Sequence, residues 1–157
     1  NRTTSMARKW FDDSVPPNVI EIETKYPLEL KAQATIETVC RCMPELGFKA
    51  ASEAILQLAI AANGHLNDTA PWSRMKQPGQ EHVVANDLYI VLESTRIVGL
   101  LLAPLLPDLS ARILDQLNCR LDPEHWLDQL RWGGLTSGAE LPKPVPVMQR
   151  LELDEDS

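Results

Sequence analysis

The sequence is poor in histidine, cysteine, glycine and aromatic residues, and these shortages exclude several classes of function. It has 3 His, 3 Cys and 7 Gly in 157 residues, and 5% of its residues are aromatic. The histidines are far apart, and none has a partner at helical metal-ligand spacing except a carboxylate, so no metal site is predicted. Gly133-Gly134 is followed by neither a helix nor a Lys-Ser/Thr pair, which excludes a phosphate-binding loop. Paired acids fall at element ends and in the tail, so no catalytic residues are predicted.

The sequence also lacks a basic excess and a long apolar run. Its net charge is -7 and its pI is about 4.9, which argues against nonspecific nucleic-acid binding. The first nine residues nevertheless hold Arg2, Arg8 and Lys9 and no acid. The most apolar run, residues 97–106, is about half as long as a membrane-spanning helix, so no membrane partner is predicted. No signal peptide is visible and no initiator Met is present, so we expect a piece of a longer chain.

The three cysteines are not arranged for pairing. Cys40 and Cys42 lie two positions apart in a helical pattern, where their side chains diverge by about 200°. That geometry suits neither a disulfide nor a metal clamp. With Cys119, we expect buried or half-buried thiols in a reducing compartment. The cytoplasm is therefore the predicted location, with an organelle as the alternative.

Apolar residues recur at gaps of three and four along most of the chain, and this periodicity predicts an all-α fold. The prediction is a helical bundle of about five helices, in one domain covering residues 1–157. Asp108 is the expected N-cap of the last long helix. Closely spaced prolines predict an extended C-terminal strap from about residue 132 onward. Residues 48–72 are the stretch around which we expect the bundle to be organised. The helices are expected at residues 1–12, 28–43, 48–68, 81–102 and 109–117.

Trp72 has the most informative position of the four tryptophans. It follows a helix end directly behind Pro71, in a segment that also carries Arg74 and Lys76. An aromatic face beside cations is what stacking on an unpaired base requires, together with neutralisation of its phosphate. A tryptophan at a helix end can equally be packed into the core. Local chemistry leaves both interpretations open. The remaining tryptophans are expected in the core or pinning the strap: Trp10, Trp126 and Trp132.

Four segments together resemble a known family. They are NRTTSMARKWFDDSVP, AANGHLNDTAPWSRMK, LYIVLESTRIVGLLLAPLLPDLSARILDQLN and LRWGGLTSGAELPKPVPVMQRLE. In this order they resemble the anticodon-binding domain of methionyl-tRNA synthetase, the C-terminal helical bundle of a class I aminoacyl-tRNA synthetase. The resemblance covers nearly the whole chain. Its most recognisable part runs from Asn63 to Lys76 and includes the Ala-Pro-Trp of residues 70–72.

The resemblance implies a binding site. The family's anticodon-stacking Trp falls on Trp72 and its hydrogen-bonding Arg falls on Arg2. The expected supporting residues are Asn63 and Lys76, which lie in the family's motif, and Arg74, the other cation of the segment that carries Trp72. The family's Asn partner of the arginine belongs one helical turn earlier, before the first residue of this sequence. Where the family has Tyr, two positions after the motif Asn, this chain has a histidine.

The resemblance also implies a function. The parent enzyme ligates methionine to tRNA using ATP, and this domain supplies recognition of the CAU anticodon. The implied partners are methionine tRNA and the parent's catalytic domain. The chain itself is expected to carry no catalytic centre and no cofactor, since the HIGH-like and KMSKS-like signatures do not occur in it. The alternative is a helical protein-interaction or scaffold module without RNA binding, which the acidic net charge favours.

Overall fold

The computed structural model describes residues 1–18 and 25–148, and this part of the chain is all-α. It contains five helices of at least nine residues and two of four residues, joined by short turns. The prediction of an all-α bundle of about five helices is therefore confirmed. The weakly alternating residues 19–23 lie outside the described residues. The helices are α1 (Arg2–Trp10), α2 (Pro27–Cys42), α3 (Phe48–Thr69), α4 (Pro71–Arg74), α5 (Glu81–Leu102), α6 (Pro107–Asp115) and α7 (Trp126–Gln129), with 3₁₀ turns at Met43–Glu45 and Pro123–His125.

Helix α5 is the centre of the bundle. Nearly every residue from Val84 to Leu101 is buried, and α1, α2, α3, α4 and α6 all contact this helix. A helix that is buried around most of its circumference belongs in the middle of a bundle. The sequence pointed instead to residues 48–72, but α3 buries only one stripe and leaves Leu56 and Ile60 exposed.

Two helix starts differ from the sequence-based expectation. Trp72 follows the end of α3, as expected, but it also belongs to a new helix that was not expected, as the second residue of the short α4. Only Ala70 separates α3 from α4, because Pro71 is well suited to the first position of a new helix. The N-cap expected at Asp108 is wrong, since α6 starts at Pro107 and Leu106 precedes it. Asp108 lies in the first turn, where a negative charge favours the helix dipole.

The strap, residues 132–148 of the described chain, is tied to residues 13–15, which follow α1. The backbone amide of Val15 donates to the carbonyl of Ala139 at 2.8 Å, and the amide of Leu141 donates to the carbonyl of Asp13 at 2.7 Å. Farther along, the amide of Val145 donates to the side chain of Gln116. These bonds hold the extended segment that the prolines predict. Residues 149–157 lie outside the described part.

The tryptophans expected in the core or against the strap are half-buried and pack on the core. They are Trp10, Trp126 and Trp132. The indole N–H of Trp126 donates to the carbonyl of Leu100 at 2.9 Å. This bond joins α7, just before the strap, to the end of the central helix.

A buried ion pair on α5 anchors the start of the strap. The guanidinium of Arg96 donates to both carboxylate oxygens of Glu93, at 2.9 and 2.5 Å. It also donates to the backbone carbonyls of Gln129 and Arg131, both at 2.6 Å. The Glu93 side chain is fully buried and that of Arg96 is 6% exposed. A buried charge needs such complete pairing, because removing it from water is otherwise costly.

The carboxylate of Glu93 in turn accepts three backbone N–H groups of the strap. Gly133 and Gly134 donate to Oε1 at 2.8 and 3.0 Å, and Leu135 donates to Oε2 at 3.0 Å. Arg96 therefore holds backbone carbonyls of residues 129–131, and Glu93 holds the backbone amides of residues 133–135. We name this arrangement of Glu93, Arg96 and residues 129–135 the strap clamp.

Gly134→Ala is expected to destabilise the chain, because the added methyl group would overlap the guanidinium group of Arg96. Displacing that group costs about 1–3 kcal/mol of unfolding free energy, as for other overpacked interiors. Gly64→Ala is the control, since nothing lies within 4 Å of the added carbon there. In a helix interior that change stabilises by about 0.5–1 kcal/mol. Thermal or urea unfolding of both variants measures the difference, and equal effects at the two sites would contradict the clamp.

Tyr89 makes the stability of the bundle depend on pH in the alkaline range. Its hydroxyl donates to the carbonyl of Leu135 at 3.0 Å. Burial raises the pKa of Tyr89 to about 12, and the nearby Glu93 carboxylate adds to the rise. Because the folded chain holds this proton more tightly than the unfolded chain, stability present below pH 10 is lost as the pH rises towards 12.

The measurement is the unfolding free energy of the wild type and of Tyr89→Phe at several pH values. The variant lacks the titrating group, so its stability is expected to decline less steeply between pH 10 and 12. Parallel declines would show that the Tyr89 proton is not linked to folding.

Candidate nucleic-acid interface

Arg2 and Trp72, which the sequence places far apart, are in contact. The guanidinium carbon of Arg2 lies 4.1 Å from the centroid of the Trp72 ring. Nη1 of Arg2 also donates to Oδ1 of Asn67 at 3.3 Å. The contact unites the first turn of α1, the last turn of α3 and the start of α4. Arg2 and Asn67 are exposed and Trp72 is half-buried, so the cluster lies at the surface.

The backbone at Ala70 sets the direction of Trp72. Ala70 has a φ of 42°, in the left-handed region that a non-glycine residue rarely adopts. Pro71 follows it, and a residue before proline is disfavoured in the right-handed helical conformation. The chain therefore leaves α3 at Ala70 and at once begins α4 in a new direction. This turn puts the indole against the side chain of Arg2.

A buried carboxylate connects the same region to the central helix. Asp87 of α5 has only 10% of its side chain exposed. Its Oδ2 accepts a hydrogen bond from Nη1 of Arg74 at 3.2 Å. Its Oδ1 lies 3.3 Å from Nε2 of His65, although that nitrogen lacks hydrogen-bond geometry to any partner. Asp87 thus faces charged or polar groups from both α3 and α4.

Among the described residues, the remaining expected site residues form no side-chain hydrogen bond or ion pair with this cluster. Asn63 is exposed on α3, one helical turn before Asn67, and Lys76 is exposed in the turn after α4. Sequence reasoning missed Asn67 and Asp87. The spacing of four from Asn63 could have indicated Asn67, because such residues share a helix face. An acid within the apolar pattern of α5 could have indicated Asp87.

The described residues show no sign of a metal centre or a membrane span. In residues 1–18 and 25–148, no three His, Cys, Asp or Glu side chains are grouped so that they could hold a metal ion. Within the same ranges, no helix combines the length and apolar character that crossing a bilayer needs. Cys40, Cys42 and Cys119 are free and half-buried, and burial raises the pKa of the Cys40 and Cys119 thiols.

The fold and this surface define a class of domain, an α-helical bundle that presents a tryptophan and a cation together at its surface. The family model described as the anticodon binding domain of methionyl tRNA ligase matches residues 15–156. The chain belongs to that family. Trp72 lies inside the matched residues, and Arg2 lies before them.

Curated relatives give the same assignment. Methionine–tRNA ligase of Thermosynechococcus vestitus is 38% identical, over 98% of this chain and 30% of the relative. The Synechocystis methionine–tRNA ligase is 34% identical, over 98% of this chain and 31% of the relative. The chloroplastic/mitochondrial methionine–tRNA ligase of Arabidopsis thaliana is 31% identical, over 99% and 26%. The chain thus spans about 30% of the length of the first two relatives.

Solved structures show the same bundle. The apo form of Mycobacterium tuberculosis methionyl-tRNA synthetase superposes with a TM-score of 0.87 and 27% identity, over 98% of this chain and 31% of that chain. The complex of that enzyme with methionyl-adenylate gives 0.84 and 28% identity, over 95% and 29%. The likeness includes nearly the entire chain, so it is one of fold and not of a local motif.

Proposed function

We propose that this chain recognises the CAU anticodon of methionine tRNA as part of a methionyl-tRNA synthetase. The observation that supports this most directly is the Arg2 guanidinium placed 4.1 Å from the Trp72 ring at the surface of the bundle. The whole enzyme would ligate methionine to tRNA using ATP. Its catalytic domain would bind ATP and perform the chemistry, and this chain would select the tRNA.

In the proposed mechanism, an unpaired anticodon base stacks on the Trp72 indole while Arg2 donates hydrogen bonds to a base edge. In the chain without RNA, the guanidinium of Arg2 lies over the ring. A cation–π contact of this kind at an exposed site is worth about 0.5–1 kcal/mol. Stacking of a base on an aromatic side chain is worth about 1–3 kcal/mol. The exchange therefore favours the RNA-bound arrangement, in which the guanidinium is available for readout.

Local cations must compensate for the acidic chain. The net charge of -7 repels an RNA backbone. Arg2 is exposed against the Trp72 ring, and Lys76 is exposed two residues after the end of α4. Lys76 is a suitable phosphate contact. Because such contacts release counterions, the affinity should fall with rising salt. In a plot of the logarithm of the association constant against the logarithm of the salt concentration, the slope should be about -0.7 per phosphate contacted on a single strand.

The test is binding of the chain to RNA hairpins that carry either the CAU anticodon or a changed anticodon, at several salt concentrations. The proposal predicts tighter binding of the CAU hairpin and a salt-dependent affinity. Equal binding without a salt slope would support the scaffold alternative. The comparisons with known proteins give that alternative no support.

The proposed partners are methionine tRNA and the catalytic domain of the parent synthetase. The three free cysteines fit a reducing compartment. The cytoplasm is the proposed location. An organelle is the alternative, and the name of the chloroplastic/mitochondrial relative supports it.

A further inference from the structure

We infer that Asp87 is a positioning residue for Trp72, acting through Arg74. This inference rests on the proposed function, since it concerns the orientation of the ring that would stack on the anticodon. Asp87 itself is buried on the central helix. It accepts a hydrogen bond from Arg74, which belongs to the same four-residue helix as Trp72.

Helix α4 depends on contacts outside itself. It has only four residues, and its N-cap Ala70 supplies no side-chain hydrogen bond. A single helical turn is not stable in isolation, because nucleation fixes several residues for one hydrogen bond. Its orientation therefore depends on tertiary contacts as well as on the turn at Ala70. The ion pair of Arg74 with Asp87, at 3.2 Å, is a directional contact that joins α4 to the rigid core.

Burial makes the Asp87 carboxylate an effective anchor. With 10% of its side chain exposed, it is held by α5 in a fixed place. Its second oxygen faces His65 of α3 at 3.3 Å, so groups of both neighbouring helices converge on it. Arg74 thereby has a role inside the protein, in place of the phosphate contact that the sequence suggested.

The two roles predict changes of opposite sign. If Arg74 contacts phosphate and Asp87 only adds negative charge, Asp87→Asn should strengthen RNA binding by removing repulsion. If Asp87 positions α4 and thereby Trp72, the same substitution should weaken RNA binding although it makes the chain less acidic. We expect a loss of about tenfold for the CAU hairpin, the order of coupling within one ion-pair network.

A double-mutant cycle separates these cases. Asp87→Asn, Arg74→Gln and the double variant are titrated with the CAU hairpin and with the changed hairpin. The inference predicts that each single variant loses affinity and selectivity, and that the double variant is little worse than either. Asp68→Asn removes an exposed acid from the end of α3 and serves as the control, with affinity unchanged or higher.

Two results would overturn the inference. One is Asp87→Asn binding as tightly as Asp68→Asn. The other is a smaller salt slope in Arg74→Gln, reduced in magnitude by the contribution of about one phosphate contact, while Asp87→Asn has no effect. That result would assign Arg74 to the RNA backbone. If Asp87→Asn does not fold, as thermal unfolding would reveal, Arg74→Gln carries the test, because that side chain is 38% exposed.

A measurement on the free chain keeps the inference separate from the proposed function. In the chain labelled with 5-fluorotryptophan, the ¹⁹F resonance of Trp72 is assigned by its loss in Trp72→Phe. Asp87→Asn and Arg74→Gln should shift or broaden that resonance without RNA, and Asp68→Asn should not. An unchanged resonance contradicts positioning by Asp87. If the wild type shows no anticodon preference, the proposed function fails, while this measurement still decides how α4 is held.

Discussion

Trp72→Ala lowers the affinity for a CAU hairpin by about 5- to 150-fold, which corresponds to about 1–3 kcal/mol of lost stacking. The preference for CAU over a changed anticodon is lost with it, since Arg2 no longer has a stacked base beside it. The fold remains, because the indole is only half-buried. We expect less destabilisation than the roughly 3–5 kcal/mol of a tryptophan removed from a core.

Trp132→Ala is the matched control for this prediction. Trp132 is also half-buried and packs against the core, but it lies at the start of the strap. Its removal should lower stability and leave the affinity for RNA unchanged. Titration and thermal unfolding of both variants measure the two quantities. A large loss of stability with unchanged affinity in Trp72→Ala would return that side chain to a purely structural role.

The largest expected effect on stability belongs to Glu93→Gln, in the strap clamp. The carboxylate accepts from Arg96 and from the backbone amides of residues 133–135. A glutamine has the same shape but only one acceptor oxygen, and its amide nitrogen would face other donors. Breaking a buried ion pair from one side costs about 3–5 kcal/mol. For a chain of this size, the unfolding temperature should fall by about 6–20 °C.

An exposed pair with the same spacing provides the control. Arg131 and Asp128 are also three residues apart and form an ion pair at 3.0 Å, but both side chains are exposed. Asp128→Asn should therefore cost less than about 1 kcal/mol. Similar shifts in unfolding temperature for the two variants would show that burial does not make the clamp strong.

The sequence predicts the long helices well, since apolar periodicity and proline are local signals. Helix α5 occupies the expected residues Glu81–Leu102. Pro71 correctly predicts the end of α3, because the missing amide and the restricted Ala70 act within the chain itself. Periodicity gives the apolar face of each helix and not its place in the bundle, so it did not identify α5 as the centre.

The candidate site is less predictable because its contacts join distant residues. Arg2 and Trp72 were paired by family resemblance, and nothing in their spacing predicts that they meet. Arg96 stands in the sequence as one cation in an apolar helix. Its partners on residues 129–135 are backbone groups that no side-chain pattern reveals. Asp87 was missed for the same reason, since its partner Arg74 is on another helix.

The most direct measurement is ¹⁹F NMR of the 5-fluorotryptophan-labelled chain during titration with the CAU hairpin. If an anticodon base stacks on the indole, the Trp72 resonance shifts on binding, while those of Trp10, Trp126 and Trp132 stay nearly fixed. The hairpin with a changed anticodon should shift it much less at the same concentration. A Trp72 resonance that does not respond while the RNA binds would contradict recognition through this side chain.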